Sequence, residues 1–244
     1  MELAQKLLSN LFPSRCILCH KTVAGPALQQ HIELCADCYR SQPFNLSCCA
    51  RCALPLAPDI TNNTLCGRCI RQLPAFDYAC SLFRYEEDII RLVHQLKFSE
   101  KISYARSIGE MFLSEGKVID MFKAEQPECL LPVPLHSSRL RQRGFNQAIE
   151  ISRVLAKKLG LPIESNAVVR QRSTSAQSGL TAKLRRKNIK GAFSVAGTIN
   201  YRRVLIIDDV MTTGSTANEL ARVLKKNKVE RVGVLSIARA PIKS

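Results

Sequence analysis

Residues 79–85 read Ala-Cys-Ser-Leu-Phe-Arg-Tyr, an alternation that predicts a strand. Ile89, Ile90, Val93 and Leu96 then recur at helical spacing, and a second helix is expected over about residues 104–113. Pro127 marks a break, and residues 129–133 form a short apolar run framed by Pro132 and Pro134, which suits a buried strand entering a loop. Gln147–Leu159 is amphipathic with helical period and is stopped by Gly160 and Pro162. Val168 and Val169 mark a further strand, whereas the polar, basic, Ser/Thr-rich residues 170–190 predict a long mobile loop and then a short helix. Residues 204–207 read as a buried strand, Ser215–Lys226 as a helix and residues 229–238 as a last strand. Strands alternating with helices make an open parallel α/β sheet. Upstream, Leu3, Leu7, Leu8, Leu11 and Phe12 fall on one face of a short helix, expected to pack on the segment that follows it.

That segment is set apart by cysteine. The chain has 11 cysteines and nine precede residue 70; eight of the nine form the Cys-x-x-Cys pairs Cys16/Cys19, Cys35/Cys38, Cys49/Cys52 and Cys66/Cys69. One such turn delivers two sulfurs to an ion, and two turns complete a tetrahedral site of four thiolates. The spacing therefore predicts a double zinc ribbon with two structural zinc ions, the metal standing in for a core that so small a module lacks. A disulfide framework would need an oxidising compartment, and an N-terminus with Glu2 and no long apolar stretch does not read as an export signal. Sequential pairing of the turns is simplest, and an interleaved pairing stays open. Cys48, His20 and His31 stand nearby as alternative ligands, while Cys80 and Cys129 read as buried thiols in strands. The chain thus divides into a ribbon module over residues 1–75, including the N-terminal helix, and an α/β domain over residues 76–244.

Charge adds a partner class. Of the formal net charge of +16, residues 131–203 carry 15 basic and two acidic side chains, net +13, a field that attracts polyanions, be they nucleic acid or phosphorylated metabolites. The ribbon lacks such a field once its cysteines are counted as zinc thiolates, so contact with nucleic acid there would fall to Arg15, Arg51, Arg68 and Arg71. No run of about 18 apolar residues occurs, so no integral membrane segment is expected.

The sharpest motif is Val204-Leu-Ile-Ile-Asp208-Asp209-Val-Met-Thr212-Thr213-Gly214-Ser215-Thr216. An apolar strand ends in two acids, and a loop of small hydroxyl residues with one glycine leads into a helix. Ligands of open α/β sheets sit outside the carboxyl ends of the strands. Backbone N–H groups and hydroxyls at a helix N-terminus form an anion site, and a glycine lets the backbone approach a phosphate. Adjacent carboxylates are poor phosphate ligands but good acceptors for sugar hydroxyls. The combination asks for a sugar phosphate, its hydroxyls on Asp208 and Asp209 and its phosphate on Thr212, Thr213, Gly214, Ser215 and Thr216. A Walker loop is excluded, because Gly-x-x-x-x-Gly-Lys-[Ser/Thr] is absent.

Those thirteen residues resemble the phosphoribosyl-diphosphate (PRPP) signature of type I phosphoribosyltransferases. The resemblance implies that fold, with magnesium bridging the sugar and the pyrophosphate. It also implies a pyrophosphate loop at Leu131-Pro-Val133-Pro134-Leu-His136, followed by Arg139, Arg141 and Arg143 as counter-charges. Purine-salvage members carry an acid as nucleobase base where this chain has Thr212, and no catalytic acid or base is named; His136 reads equally well as a loop residue or helix cap. The chain as a whole is similar to the ComF family of competence proteins and to related proteins named for gluconate utilisation. The similarity runs from the ribbons through His94-Gln-Leu-Lys97-Phe98, Pro132-Val-Pro-Leu and Arg143-Gly-Phe-Asn-Gln147. It continues through Arg170-x-Arg172-x-Thr174-x-x-Gln177-x-x-Leu180, Arg185, Arg186, Asn188 and Ala192-Phe193 to the PRPP signature. It implies a cytoplasmic protein, or one peripheral at the inner membrane, that handles single-stranded DNA in natural transformation. The implied partners are recombination factors and the helicase-like DNA translocator. The competing expectation is an active phosphoribosyltransferase of salvage or small-molecule metabolism.

Overall fold

The structure, a computed structural model, describes residues 15–23, 32–60, 63–98, 102–172 and 188–241. The expected N-terminal helix, and residues 173–187 of the stretch read as a mobile loop, lie outside the described residues.

Two short helices, α1 (Ala36–Arg40) and α2 (Gly67–Arg71), each carry one Cys-x-x-Cys turn of the ribbons. The α/β part follows as β1 (Tyr78–Arg84), α3 (Glu87–Phe98), α4 (Ile102–Ser114), α5 (Gly116–Glu125) and β2 (Cys129–Pro132). Then come α6 (Ser137–Arg143), α7 (Gln147–Leu159), β3 (Val168–Arg170), β4 (Phe193–Val195), β5 (Arg203–Met211), α8 (Ser215–Lys226) and β6 (Arg231–Arg239). Four strands form one parallel sheet in the order β1-β6-β5-β2. Continuous runs such as Val204, Leu205, Ile206 and Ile207 are buried on both faces, as a covered parallel sheet requires.

One expectation is corrected. The strand at Val168 and Val169 does not join the parallel sheet; β3 pairs antiparallel with β4 in a separate two-stranded ribbon. Val169 is exposed where the central strands are buried, so this ribbon is a half-covered flap beside the sheet rather than part of its core. Two helices also appear where the residue pattern marked none. These are α5, which opens on a glycine, and α6, which occupies the arginine-rich stretch after β2.

Two hydrophobic clusters lie on opposite faces of the sheet. Leu205, Ile207, Leu235 and Ile237 point to one face with Ile89, Leu92 and Leu96 of α3, Ile108, Met111 and Phe112 of α4, and Ile151 and Leu155 of α7. Helices α4 and α7 cross closely: a Cβ on Gly109 would stand 2.6 Å from Val154 Cβ, so the crossing needs glycine. Val204, Ile206, Val232 and Val234 point to the other face with Leu220, Ala221 and Leu224 of α8. The ribbons divide between these faces. Cys16, Ile17, Ile32 and Leu34 pack into the first cluster, and Cys49, Cys52, Cys66 and Cys69 into the second.

Candidate functional site

Strand register sets the frame. Val133 N donates to Ile207 O at 2.9 Å, so the buried Val133 and Pro134 run beside the point where β5 reaches Asp208. Asp208 lies opposite Ser236 of β6. The acidic pair thus emerges at the carboxyl end of the sheet, between the β2 exit and the hydroxyl loop, where open α/β sheets place their ligands.

The two acids differ in character. Asp208 Oδ1 accepts from Asp209 N at 2.8 Å, and Asp209 Oδ1 accepts from Val210 N at 2.6 Å. Asp209 Oδ2 stands 2.9 Å from Lys97 Nζ on α3, the side chains being 19% and 22% exposed. Burial, and then the charge of Asp209, push the Asp208 carboxyl up to about 7. Burial pushes Asp209 the same way, but Lys97 outweighs it and, with the Val210 N–H and Arg143, holds that carboxyl below its ordinary value.

The loop between β5 and α8 has the geometry of an anion cradle. Gly214 sits at φ +72°, in left-handed space, as the N-cap of the twelve-residue α8. A Cβ there would meet nothing nearer than Met211 Sδ at 3.8 Å, so glycine serves conformation rather than space. Thr213 Oγ1 lies 2.7 Å from Ser215 Oγ and accepts from Ser215 N at 3.3 Å, which orders the hydroxyls at the positive end of the helix.

Cations ring the acids. Arg139 and Arg143 are one helical turn apart on α6, and Arg143 Nη1 donates to Gln147 Oε1 at 3.3 Å. Burial holds the Arg143 guanidinium below its ordinary value; Asp209 opposes the shift and Arg139 adds to it. The buried Arg170 of β3, stacked 5.7 Å over the Phe193 ring, is pushed down to about 10 by burial and then by Arg139, with Asp208 opposing. Lys97, Arg143 and Arg170 therefore face the carboxylates from three separate elements, with Arg139 beside the two arginines. Arg141 is exposed on α6 and does not join them. His136 caps α6 through Nδ1, which accepts from Ser138 N at 3.3 Å. Asn146 holds the β2 exit from beneath: Nδ2 donates to Val133 O at 3.0 Å while Oδ1 caps α7 at Ala148 N.

Both metal sites are assembled, and the pairing is sequential. Sulfurs of Cys16, Cys19, Cys35 and Cys38 form one set and those of Cys49, Cys52, Cys66 and Cys69 the other, each within 4.8 Å. Cys19 Sγ to Cys35 Sγ and Cys52 Sγ to Cys66 Sγ are both 3.7 Å. That is the edge of a tetrahedron with metal–sulfur bonds of about 2.3 Å, and far from the roughly 2 Å of a disulfide. Cys66 N donates to Cys49 Sγ at 3.2 Å, as backbone does to a ligating thiolate. The second set is wholly buried; Cys48 and His20 are in neither set, and His31 lies outside the described residues. Of the ribbon arginines, Arg51 turns inward, donating to Pro74 O at 3.2 Å.

Lys97 and Arg170 are the site groups that residue types alone did not single out. Both stand in the matched stretches of sequence, yet nothing local to either marks it as a partner of β5.

A parallel α/β sheet with an acidic pair and hydroxyl loop at its carboxyl edge, preceded by two four-cysteine sites, defines a phosphoribosyltransferase fold carrying a double zinc ribbon. The double zinc ribbon domain family matches residues 7–70, and the phosphoribosyl transferase domain family matches residues 144–244. Over 238 residues the chain is 35% identical to Competence protein F of Haemophilus influenzae, covering 95% of this chain and 99% of that protein. It is 34% identical to the DNA utilization protein YhgH of Salmonella typhimurium, covering 93% and 97%. The chain belongs to the ComF family of competence proteins. A hypoxanthine/guanine phosphoribosyltransferase of Methanosarcina barkeri is 33% identical over 89 residues, covering 36% of this chain and 45% of that enzyme.

Proposed function

We propose that this is a PRPP-binding protein of natural transformation, which handles incoming single-stranded DNA at the inner membrane or in the cytoplasm. The observation that carries the PRPP reading is the pairing of two unlike carboxylates with a left-handed glycine at the N-terminus of α8. In this reading Asp208 and Asp209 accept the ribose hydroxyls, and residues 212–216 take the 5′-phosphate. Val133 and Pro134 border the pyrophosphate, whose charge Arg139 and Arg143 offset. Carboxylate oxygens are the donors a hard divalent cation takes, so Asp208 and Asp209 suit magnesium bound together with PRPP, which would neutralise the pyrophosphate. The zinc sites are structural.

The DNA part of the proposal rests on the family relatives and on the basic stretch. No helix among the described residues is long and apolar enough to cross a membrane. The test is transformation in a deletion strain of the organism that carries the gene, with DNA uptake into the envelope scored alongside. Loss of transformants with envelope uptake intact supports action at or after inner-membrane transfer alongside recombination factors and the helicase-like translocator. Normal transformation in a competent strain overturns it.

A second reading, an active phosphoribosyltransferase of salvage or small-molecule metabolism, is favoured by the intact acidic pair. Thr212, where purine-salvage members carry an acid, turns it away from hypoxanthine and guanine. Pyrophosphate release with a small acceptor supports it, and release only with single-stranded DNA joins the two readings.

A further inference from the structure

The last residue of β6, Arg239, is 1% exposed, and no carboxylate pairs with it among the described residues. Its guanidinium is spent on backbone carbonyls of two separate parts of the molecule. Nε donates to Cys52 O at 2.9 Å, inside the second four-cysteine site. Nη1 donates to Met211 O at 2.8 Å, to Ala240 O at 3.0 Å and, closely, to Thr212 O, the first residue of the hydroxyl loop. One rigid planar group thus holds a metal-binding turn and the candidate phosphate loop in a single register.

A second connection runs parallel to it. Ala75 N, a few residues beyond Cys69, donates to Asn218 Oδ1 of α8 at 2.7 Å, and Asn218 N donates to Gly214 O at 2.9 Å. The buried Phe76 closes this route: its Cε1 lies 4.0 Å from where a Gly214 Cβ would stand. The first four-cysteine site has different neighbours. Its bonds to the α/β domain lie on the other face: Glu33 N donates to Ser107 Oγ at 3.2 Å, Tyr104 Oη donates to Ile17 O at 3.5 Å, and Tyr39 Oη donates to Glu115 just beyond α4.

We infer that the second four-cysteine site is a positioning element for the phosphate loop, coupled to it through Arg239, so that its metal and an anion on residues 212–216 stabilise one another. The inference rests on the PRPP reading of that loop. Coupling between two binding sites is reciprocal: whatever factor metal loss takes from anion affinity, bound anion returns as resistance to metal loss. The first site, joined to other elements, stands outside this coupling.

The test uses the zinc-loaded full chain with magnesium–PRPP as probe. Zinc is withdrawn by a competing chelator while iodoacetamide traps freed cysteines, and peptide mapping follows the two sets separately. Calorimetry on the same samples reports whether PRPP binds. The expected result is that PRPP slows labelling of Cys49, Cys52, Cys66 and Cys69 by about tenfold and changes labelling of Cys16, Cys19, Cys35 and Cys38 less than about twofold. Arg239→Lys keeps the charge but not the fork; it should lose most of that protection and about tenfold in PRPP affinity. If PRPP binds but protects both sets alike, or neither, the coupling is wrong while the PRPP reading stands. If calorimetry shows no binding, both fall. Should Arg239→Lys not fold, the wild-type labelling contrast decides alone.

Discussion

Lys97 Nζ lies 2.9 Å from Asp209 Oδ2, with about four-fifths of each side chain out of water. The pair joins α3 to the end of β5 and leaves Asp208, next along the strand, to bear its burial beside a second charge. One acid is held as an anion, and the other keeps its proton up to about pH 7.

Replacing Lys97 with Met should leave Asp209 buried without its counter-charge. Fully buried pairs cost several kcal/mol to break and exposed ones almost nothing, so a partly covered pair is expected to cost about 1–3 kcal/mol by denaturant unfolding. The pH dependence has a definite sign. Asp209 is held below its ordinary value, so its contribution is present at neutral pH and fades as pH falls through the range below about 4. The difference between wild type and Lys97→Met should shrink in the same range. An unchanged difference at low pH would point to lost packing instead.

Asp208→Asn should do the opposite to stability. The raised carboxyl binds its proton more tightly in the folded chain than in the unfolded one, so wild-type stability falls as pH rises from about 4 to about 7. The neutral amide escapes that cost. Without ligand, Asp208→Asn should melt a few degrees above wild type near pH 8 and show little gain at or below about pH 4, with ligand binding given up in return. Lys97, Arg143 and Arg170 face this carboxyl pair from α3, α6 and β3.

Gly214→Ala isolates the backbone of the loop. A Cβ there would make only ordinary contacts while φ is +72°, so the cost is conformational, about 1–2 kcal/mol. The loop is expected to relax out of its left-handed turn, with PRPP affinity falling at least about tenfold. Wild-type affinity in this variant would mean the loop does not cradle the phosphate.

How much of this was legible along the chain follows from how local each signal is. Cysteines two residues apart mark a metal turn by themselves, and all eight assemble as their spacing implied. Gln147–Leu159 is bounded as read because its limits are local, an Asn146 cap and Gly160 at φ +67°. The acids and hydroxyls of residues 208–216 form one strand-loop-helix unit and carry their meaning in nine residues. What could not be read is tertiary. Val168 and Val169 have strand character, but nothing along the chain tells that they pair antiparallel with β4 rather than join the main sheet. The arginines after β2 read as a loop, whereas the His136 cap makes them a helix that presents Arg139 and Arg143 together and sends Arg141 outward. Lys97, Arg170 and Arg239 lie far along the chain from their partners, and only the folded sheet edge brings them there.

If the basic stretch holds single-stranded DNA, the interaction should be mainly phosphate contacts, because few aromatics lie within it. About four such contacts predict at least tenfold weaker binding between roughly 50 and 200 mM salt, read by fluorescence anisotropy of a labelled oligonucleotide. A flat salt response would exclude this mode.

The central claim, that the carboxyl edge of the sheet is a PRPP site, is tested most directly by calorimetric titration of magnesium–PRPP into wild type and into Asp208→Asn with Asp209→Asn. The account predicts saturable, magnesium-dependent binding by the wild type and none by the double variant, whose circular dichroism and zinc content stay those of the wild type. Equal binding by both proteins, or none by a folded, zinc-loaded wild type, would contradict it.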